Sequence, residues 1–302
     1  MLGPLVIHQP DTVSEAATLR AHLGDGAAVY AGGSELLLVM KEGLGRWQQL
    51  IDVKAIPALG ELAEVGDRLV IGAAVTHRTL ERSPLLRARF PVLAEMEAHV
   101  ANVRVRNVGT LGGNLCFAEP HSDPPTALLV HDARVVLQGP RSERRLPIGE
   151  FITGAYETTL GADEVLARIE VPAPPAGAVG AYLKFGFHER PTVGVAVLLT
   201  PRGHSVTSAR VAVGCLGPVA ARLPALETRL AGASLAALAA GAIDTRDSGL
   251  ADLDVVSDLH GSADYKREMA AVLVSRALAT AAGRAGGLGG PVSAPHVNRP
   301  SA

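Results

Sequence analysis

The chain has 302 residues, of which 48% are apolar, and 28 Lys and Arg nearly balance 30 Asp and Glu for a formal charge of −2. That length and composition give roughly two domains with a sizeable core. Without a clustered basic stripe, nucleic-acid binding is disfavoured.

Two cysteines, Cys116 and Cys215, show no C-x-x-C spacing. They speak against a disulfide framework and against a cysteine-built iron–sulfur or zinc site. Reduced thiols in a cytosolic protein are the plain reading. The opening "MLGPLVIHQP" has neither a basic start nor a long apolar stretch, and no unbroken apolar run reaches about 18 residues, so no transmembrane segment is predicted.

In chain order, a capping box opens the first helix: Thr12 is followed three positions later by Glu15, and Ala16, Leu19 and Leu23 follow at helical spacing. Ala27 to Tyr30 read as a short buried strand, Gly32 and Gly33 as a turn, Ser34 to Lys41 as helix, and "LIDV" at 50 to 53 as another buried strand. From about residue 56 two short strands are expected, joined near Gly66 and Asp67. "SPLLRARFPVLAEMEAHV" reads as helix in two pieces, divided at Pro91. The stretch "RVRNVGTLGGNLCFAEPHSDPP" (104 to 125) reads as a loop, and Asp123 as an N-cap for a helix entered through Pro124 and Pro125.

"ARVVLQG" and "EVLARIEV" read as strands, and the basic run from Arg141 to Arg145 as a solvated loop. "PAPPAGAVG" (172 to 180) marks a domain boundary. Strands are expected at 181 to 187, 193 to 200 and 206 to 215. In a last helix Tyr265, Met269, Val272, Leu273 and Arg276 recur at helical spacing. From about 283 the tail shows no packing pattern and reads as disordered.

The chemistry concentrates in two similar segments, Gly32-Gly33-Ser34 and Gly112-Gly113-Asn114. Paired glycines let backbone approach a ligand and adopt positive φ. Successive N–H groups in such turns form a concave anion site. Two of them can grip a pyrophosphate without any lysine. The sequence has no G-x-G-x-x-G after a strand, no P-loop, no H-E-x-x-H and no G-x-S-x-G. His77, His99 and His121 lie in segments of interest, but scattered histidines are by default structural.

"AGGSELLLVMK" (31 to 41), "IGAAVTH" (71 to 77), "VRNVGTLGGNL" (105 to 115) with Asp123, "YLKF" (182 to 185) and the C-terminal "GSADYKREMAAVLVSRAL" resemble the FAD-binding medium subunit of molybdenum hydroxylases, the group of aerobic carbon monoxide dehydrogenase and xanthine dehydrogenase-like enzymes. The resemblance extends to about residue 282. It implies an α+β fold in which two N-terminal subdomains (1 to 55 and 56 to 175) of the vanillyl-alcohol oxidase (PCMH) type hold FAD between them. An α/β C-terminal flavoprotein domain (176 to 282) follows, and the arrangement is not Rossmann.

The resemblance further implies non-covalent FAD, with Ala31, Gly32, Gly33, Ser34, Glu35 and Leu36, together with Thr110, Leu111, Gly112, Gly113 and Asn114, around the pyrophosphate. Val29 and Tyr30 would line the approach to the first turn. Asp123 would accept from the ribose or adenine end. Lys184 would stand by the flavin ring, and Val100 and Leu166 would make apolar contacts. No catalytic or metal-ligating residue is expected. After the lysine, where members often carry an acidic residue, this chain reads "HERPTVGVAV", with Pro191 and Thr192.

By the same resemblance the chain is an electron-transfer subunit of an oxidoreductase. A small 2Fe-2S subunit would supply electrons, and a large molybdenum (molybdopterin) subunit would oxidise the substrate. FAD would hand the electrons to a quinone, NAD or oxygen. A dimer of heterotrimers is implied, in the cytoplasm or peripherally at the inner face of the membrane. A stand-alone flavin oxidoreductase, a scaffold that kept only the fold, and an unrelated α/β protein stay open as alternatives.

Overall fold

The computed structural model describes residues 4–186, 189–242 and 248–285. The N-terminal layer runs β1 (Val6–His8), α1 (Val13–Leu23), β2 (Ala27–Tyr30), α2 (Leu36–Lys41) and β3 (Gln49–Asp52). Its strands form a small parallel sheet in the order β1-β3-β2. Thr12 caps α1 as expected, its hydroxyl accepting from the Glu15 N–H at 3.1 Å. The returning arm differs from a standard box, because the Glu15 carboxylate accepts from the Asp11 N–H at 2.9 Å.

The second layer begins with the expected hairpin β4 (Leu62–Val65) and β5 (Arg68–Gly72). Five short helices follow: α3 (His77–Arg82), α4 (Pro84–Arg89), α5 (Pro91–His99), α6 (Val103–Val108) and α7 (Leu111–Phe117). Each has a start signal in the sequence. Thr76, Ser83, Asn102 and Thr110 accept cap hydrogen bonds, and proline stands at the first position of α4 and α5. The stretch 104 to 125 is therefore mostly helical, not the loop expected. Asn102 and Thr110 each satisfy first-turn N–H groups, which lets two helices follow one another with only Gly109 and Thr110 between them.

Next come α8 (Pro124–Val130), β6 (Arg134–Gln138), β7 (Glu143–Pro147), α9 (Ile148–Phe151), β8 (Ile152–Gly154), β9 (Glu157–Thr158) and β10 (Val165–Pro172). The antiparallel sheet runs β4-β5-β10-β6-β7. The basic run expected as loop supplies much of β7 instead. Arg144 pairs with Glu164 at 2.6 Å and Arg145 with Glu170 at 3.3 Å across the sheet.

The C-terminal part forms a second antiparallel sheet, β11 (Val179–Phe185), β12 (Val193–Arg202), β13 (Ser205–Gly214) and β14 (Ala221–Arg222). Helices α10 (Pro224–Leu230), α11 (Leu235–Ala239) and α12 (Ala263–Ala285) complete it. Strand alternation splits this sheet between two cores. Val193, Val195, Val197 and Leu199 face α12, while Ala196 and Leu198 join the core that the first two layers share. The face of α12 differs from the expected one. Tyr265, Val272 and Arg276 point out, and Ala270, Leu273, Val274, Ala277, Leu278 and Ala281 point in. Alanines set the buried phase because they let the helix lie close on the sheet, so the larger apolar residues mislead.

Residues 283 to 285, expected in a disordered tail, end α12, and the rest of that tail lies outside the described residues. No helix among the described residues is long and apolar enough to cross a membrane.

Candidate functional site

A cleft of about 1280 Å³ runs between the N-terminal layer and the second layer and reaches Glu189, Arg190, Leu259 and His260 of the C-terminal part. Both glycine pairs line it. The two segments also touch each other. A Cβ on Gly32 would overlap the Val108 carbonyl oxygen and stand 2.8 Å from the Gly109 Cα, so only glycine lets them close.

The first turn is built to present donors. Gly33 is in the left-handed region (φ +72°), which turns successive amides the same way. Among the described residues, the backbone N–H groups of Gly32, Gly33, Ser34, Glu35 and Leu36 donate to no hydrogen bond. The Ser34 hydroxyl is buried with no partner. Orphaned polar groups of this kind are rare in folded proteins and call for an explanation. A bound anion supplies one.

The second pair works differently from the sequence expectation. It lies in the first turn of α7, and its amides are already used. Leu111 donates to Val75 O at 3.1 Å, Gly112 to Ala73 O at 3.0 Å and Asn114 to Thr110 O at 2.9 Å. The Gly113 N–H donates to Thr110 Oγ1 at 3.1 Å. What this segment offers the cleft is a bare glycine surface and the Asn114 amide, whose oxygen accepts from Ser122 Oγ at 2.6 Å.

Asp123 does not cap α8 with its side chain. Its carboxylate, 3% exposed, accepts from Tyr182 Oη at 2.5 Å and from Lys184 Nζ at 3.1 Å. The same ammonium donates to the His99 carbonyl at 2.5 Å. Burial pushes the Asp123 carboxyl above its ordinary range, and the Lys184 charge pulls it back. Asp123 and Lys184, expected at separate ends of a cofactor, form one ion pair.

Of the other expected residues, Val29, Ala31, Glu35, Leu36, Val100, Thr110 and Leu166 line the cleft. Three do not. Tyr30 turns toward Lys54, whose ammonium sits 3.6 Å from the ring centre. Leu111 is in the core at 1% exposure. Lys184 stands behind Asp123.

Sequence reasoning missed several wall residues. Ala101 holds a positive φ of 41°. Asn102 caps α6 with its oxygen and donates its amide to Glu189. His77, expected as a lone histidine, lines the cleft and is locked to buried Glu97 at 2.8 Å. At the mouth His121 lies between Glu119 (3.1 Å) and Asp258 (3.0 Å), with its ring centre 4.3 Å from that of His260. Arg190 faces Glu35 and Glu119 at 3.7 and 3.9 Å. The capping pattern gave a signal for Asn102. The others meet through tertiary contacts with no local pattern.

Residues 3–174 match the family described as FAD binding domain in molybdopterin dehydrogenase, and residues 188–281 match the CO dehydrogenase flavoprotein C-terminal domain. The chain is 37% identical over 273 residues to the carbon monoxide dehydrogenase medium chain of Hydrogenophaga pseudoflava, covering 90% of this chain and 94% of that one. It is 31% identical to the nicotine 6-hydroxylase medium subunit of Paenarthrobacter nicotinovorans, over 91% of this chain and 96% of the relative. Among solved structures, the Hydrogenophaga pseudoflava carbon monoxide dehydrogenase that lacks the Mo-pyranopterin moiety superimposes with a TM-score of 0.87 at 36% identity, covering 94% of this chain and 99% of that one. Quinoline 2-oxidoreductase from Pseudomonas putida 86 gives 0.86 at 27% identity over the same shares.

Proposed function

The chain belongs to the FAD-binding medium subunits of carbon monoxide dehydrogenase- and xanthine dehydrogenase-type molybdenum hydroxylases, and on that footing we propose that its cleft holds FAD non-covalently and that the subunit passes electrons from a partner's 2Fe-2S clusters to an external acceptor. It is an oxidoreductase subunit, and the molybdopterin and iron–sulfur groups belong to other chains of the complex.

The observation that carries this reading is the row of free N–H groups from Gly32 to Leu36 beside the unpartnered Ser34 hydroxyl. Those donors suit a pyrophosphate, which is anionic and has acceptors only. At about 1280 Å³ the cleft exceeds the ~300–1,000 Å³ common for small-ligand sites, which suits an extended dinucleotide. Thr110, Gly112, Gly113 and Asn114 would form the opposite wall, with Val29 leading into it. Val100 and Leu166 would cover apolar parts of the cofactor.

Asp123 and Lys184 lie where α8 meets the C-terminal sheet, so we assign both to the flavin end. When bound, FAD would supply the two-electron to one-electron redox chemistry. The protein's own part is to hold it and to set the charge beside it, through the buried Tyr182–Asp123–Lys184 cluster. Neither cysteine offers a tether: burial pushes the Cys116 thiol up to about 12, and Cys215 is buried. A quinone, NAD or oxygen is the acceptor proposed, and a dimer of heterotrimers in the cytoplasm, or held peripherally at the inner face of the membrane, is the assembly proposed.

The test is anaerobic. The FAD-loaded chain alone is mixed with candidate organic substrates, then with a chemically reduced 2Fe-2S partner subunit. Bleaching of the flavin band only with the reduced partner is expected. Turnover of a small molecule by the chain alone would favour a stand-alone flavin oxidoreductase.

A further inference from the structure

The cleft contains a second orphaned donor, far from the glycine turn in sequence. The Nε of Arg20 is buried with no hydrogen-bond partner, and among the described residues its side chain enters no ion pair. Arg20 stands in the last turn of α1 and lines the cleft. A buried, unpaired N–H on a cation costs more than a neutral one. Such a group persists in a fold when something outside the chain completes it.

Its surroundings indicate what that is. The cleft lining includes the apolar residues Ala27 and Val165, on β2 and β10, the strands that pack against α1, and also Leu160 and Ala162. The Arg20 charge reaches the Cys116 thiol on α7, two positions beyond Asn114. Arg20 therefore lies on the α1 and α7 side of the glycine segments, and no interaction joins it to the Asp123–Lys184 pair against the C-terminal sheet. Asp25, on the turn after α1, also lines the cleft.

We propose that Arg20 binds the adenosine monophosphate half of the dinucleotide, donating from its guanidinium to a purine nitrogen or phosphate oxygen and lying against the base. An arginine has five donors and no acceptor. Ring nitrogens and phosphate oxygens are acceptors, and guanidinium planes stack on bases. The apolar wall gives the purine its other contact. Arg20 thus makes the site selective for FAD over FMN. This inference rests on the reading of the cleft as an FAD site.

The test uses the full chain stripped of flavin and titrated by calorimetry with FAD and with FMN, which lacks the adenosine half. Wild type is expected to prefer FAD. Arg20→Ala is expected to weaken FAD at least about tenfold, to leave FMN unchanged and so to erase most of the preference. Arg20→Lys keeps the charge without the planar fork and should fall between. Melting temperatures of the apo proteins check the fold. Unchanged FAD affinity in a folded Arg20→Ala chain would overturn the proposal, as would equal losses for FAD and FMN. Wild type binding neither flavin would instead overturn the reading of the cleft itself.

Discussion

Gly32 lies flat against the Val108–Gly109 peptide, so close that any side chain on Gly32 would overlap the Val108 carbonyl. This contact joins the two glycine segments into one wall and fixes where the free amides of the first turn point. Gly32→Ala must push the segments apart. We expect it to destabilise the chain by about 1–3 kcal/mol, as overpacking does, and to abolish retention of FAD through desalting. Circular dichroism and the visible spectrum of the same sample read both effects.

Ser34→Ala separates binding from stability. The Ser34 hydroxyl is buried and unsatisfied in the free chain, so removing it should leave apo stability unchanged or slightly higher. The FAD affinity should fall by about 2–12-fold, the loss of one net hydrogen bond of ~0.5–1.5 kcal/mol. Fluorescence titration and thermal melts decide. Equal affinity in both proteins would remove the hydroxyl from the anion site.

Asp123 and Lys184 should behave as a coupled pair. Asp123→Asn strands a nearly buried ammonium, and Lys184→Met strands a buried carboxylate, so each single change should cost about 3–5 kcal/mol. The double variant should cost clearly less than the sum, with a coupling of ~0.5–3 kcal/mol. Urea unfolding of the four proteins gives the cycle. Strict additivity would mean that the two groups act independently.

His131 predicts a pH dependence away from the cleft. Its ring is 1% exposed, neither nitrogen has a partner, and Phe90 lies 6.0 Å away. Burial, helped by the Arg210 charge, lowers it from its ordinary 6.5 to about 4. Below pH 6.5 the unfolded chain binds a proton that the folded chain refuses. The stabilisation is therefore full above 6.5 and is lost as pH falls toward 4, about 3 kcal/mol in total. Urea midpoints from pH 7 to 4 should fall more steeply for wild type than for His131→Phe. Parallel curves would show that His131 does not drive the acid loss.

Much of this was legible in the sequence because it is written locally. Thr12, Ser83 and the prolines at 84 and 91 mark helix starts by hydrogen bonds and fixed φ that need no distant partner. Gly32 and Gly33 mark a turn for the same reason. What stayed hidden depends on distant contacts. The amides of Gly112 and Gly113 are spent on Ala73 and Thr110, which converts an expected loop into a helix start. Asp123 meets Lys184 only because α8 packs on the C-terminal sheet. The Arg20 Nε is orphaned only in the folded cleft, and a single arginine in a helix carries no pattern that says so.

The most direct measurement is the visible absorption spectrum of the chain after incubation with FAD and desalting, taken beside the same spectrum for the complex isolated from its host. Flavin bands near one equivalent per chain, released completely into solution on denaturation, are expected. A folded chain without flavin in both samples, or flavin that stays attached after denaturation, would contradict that expectation.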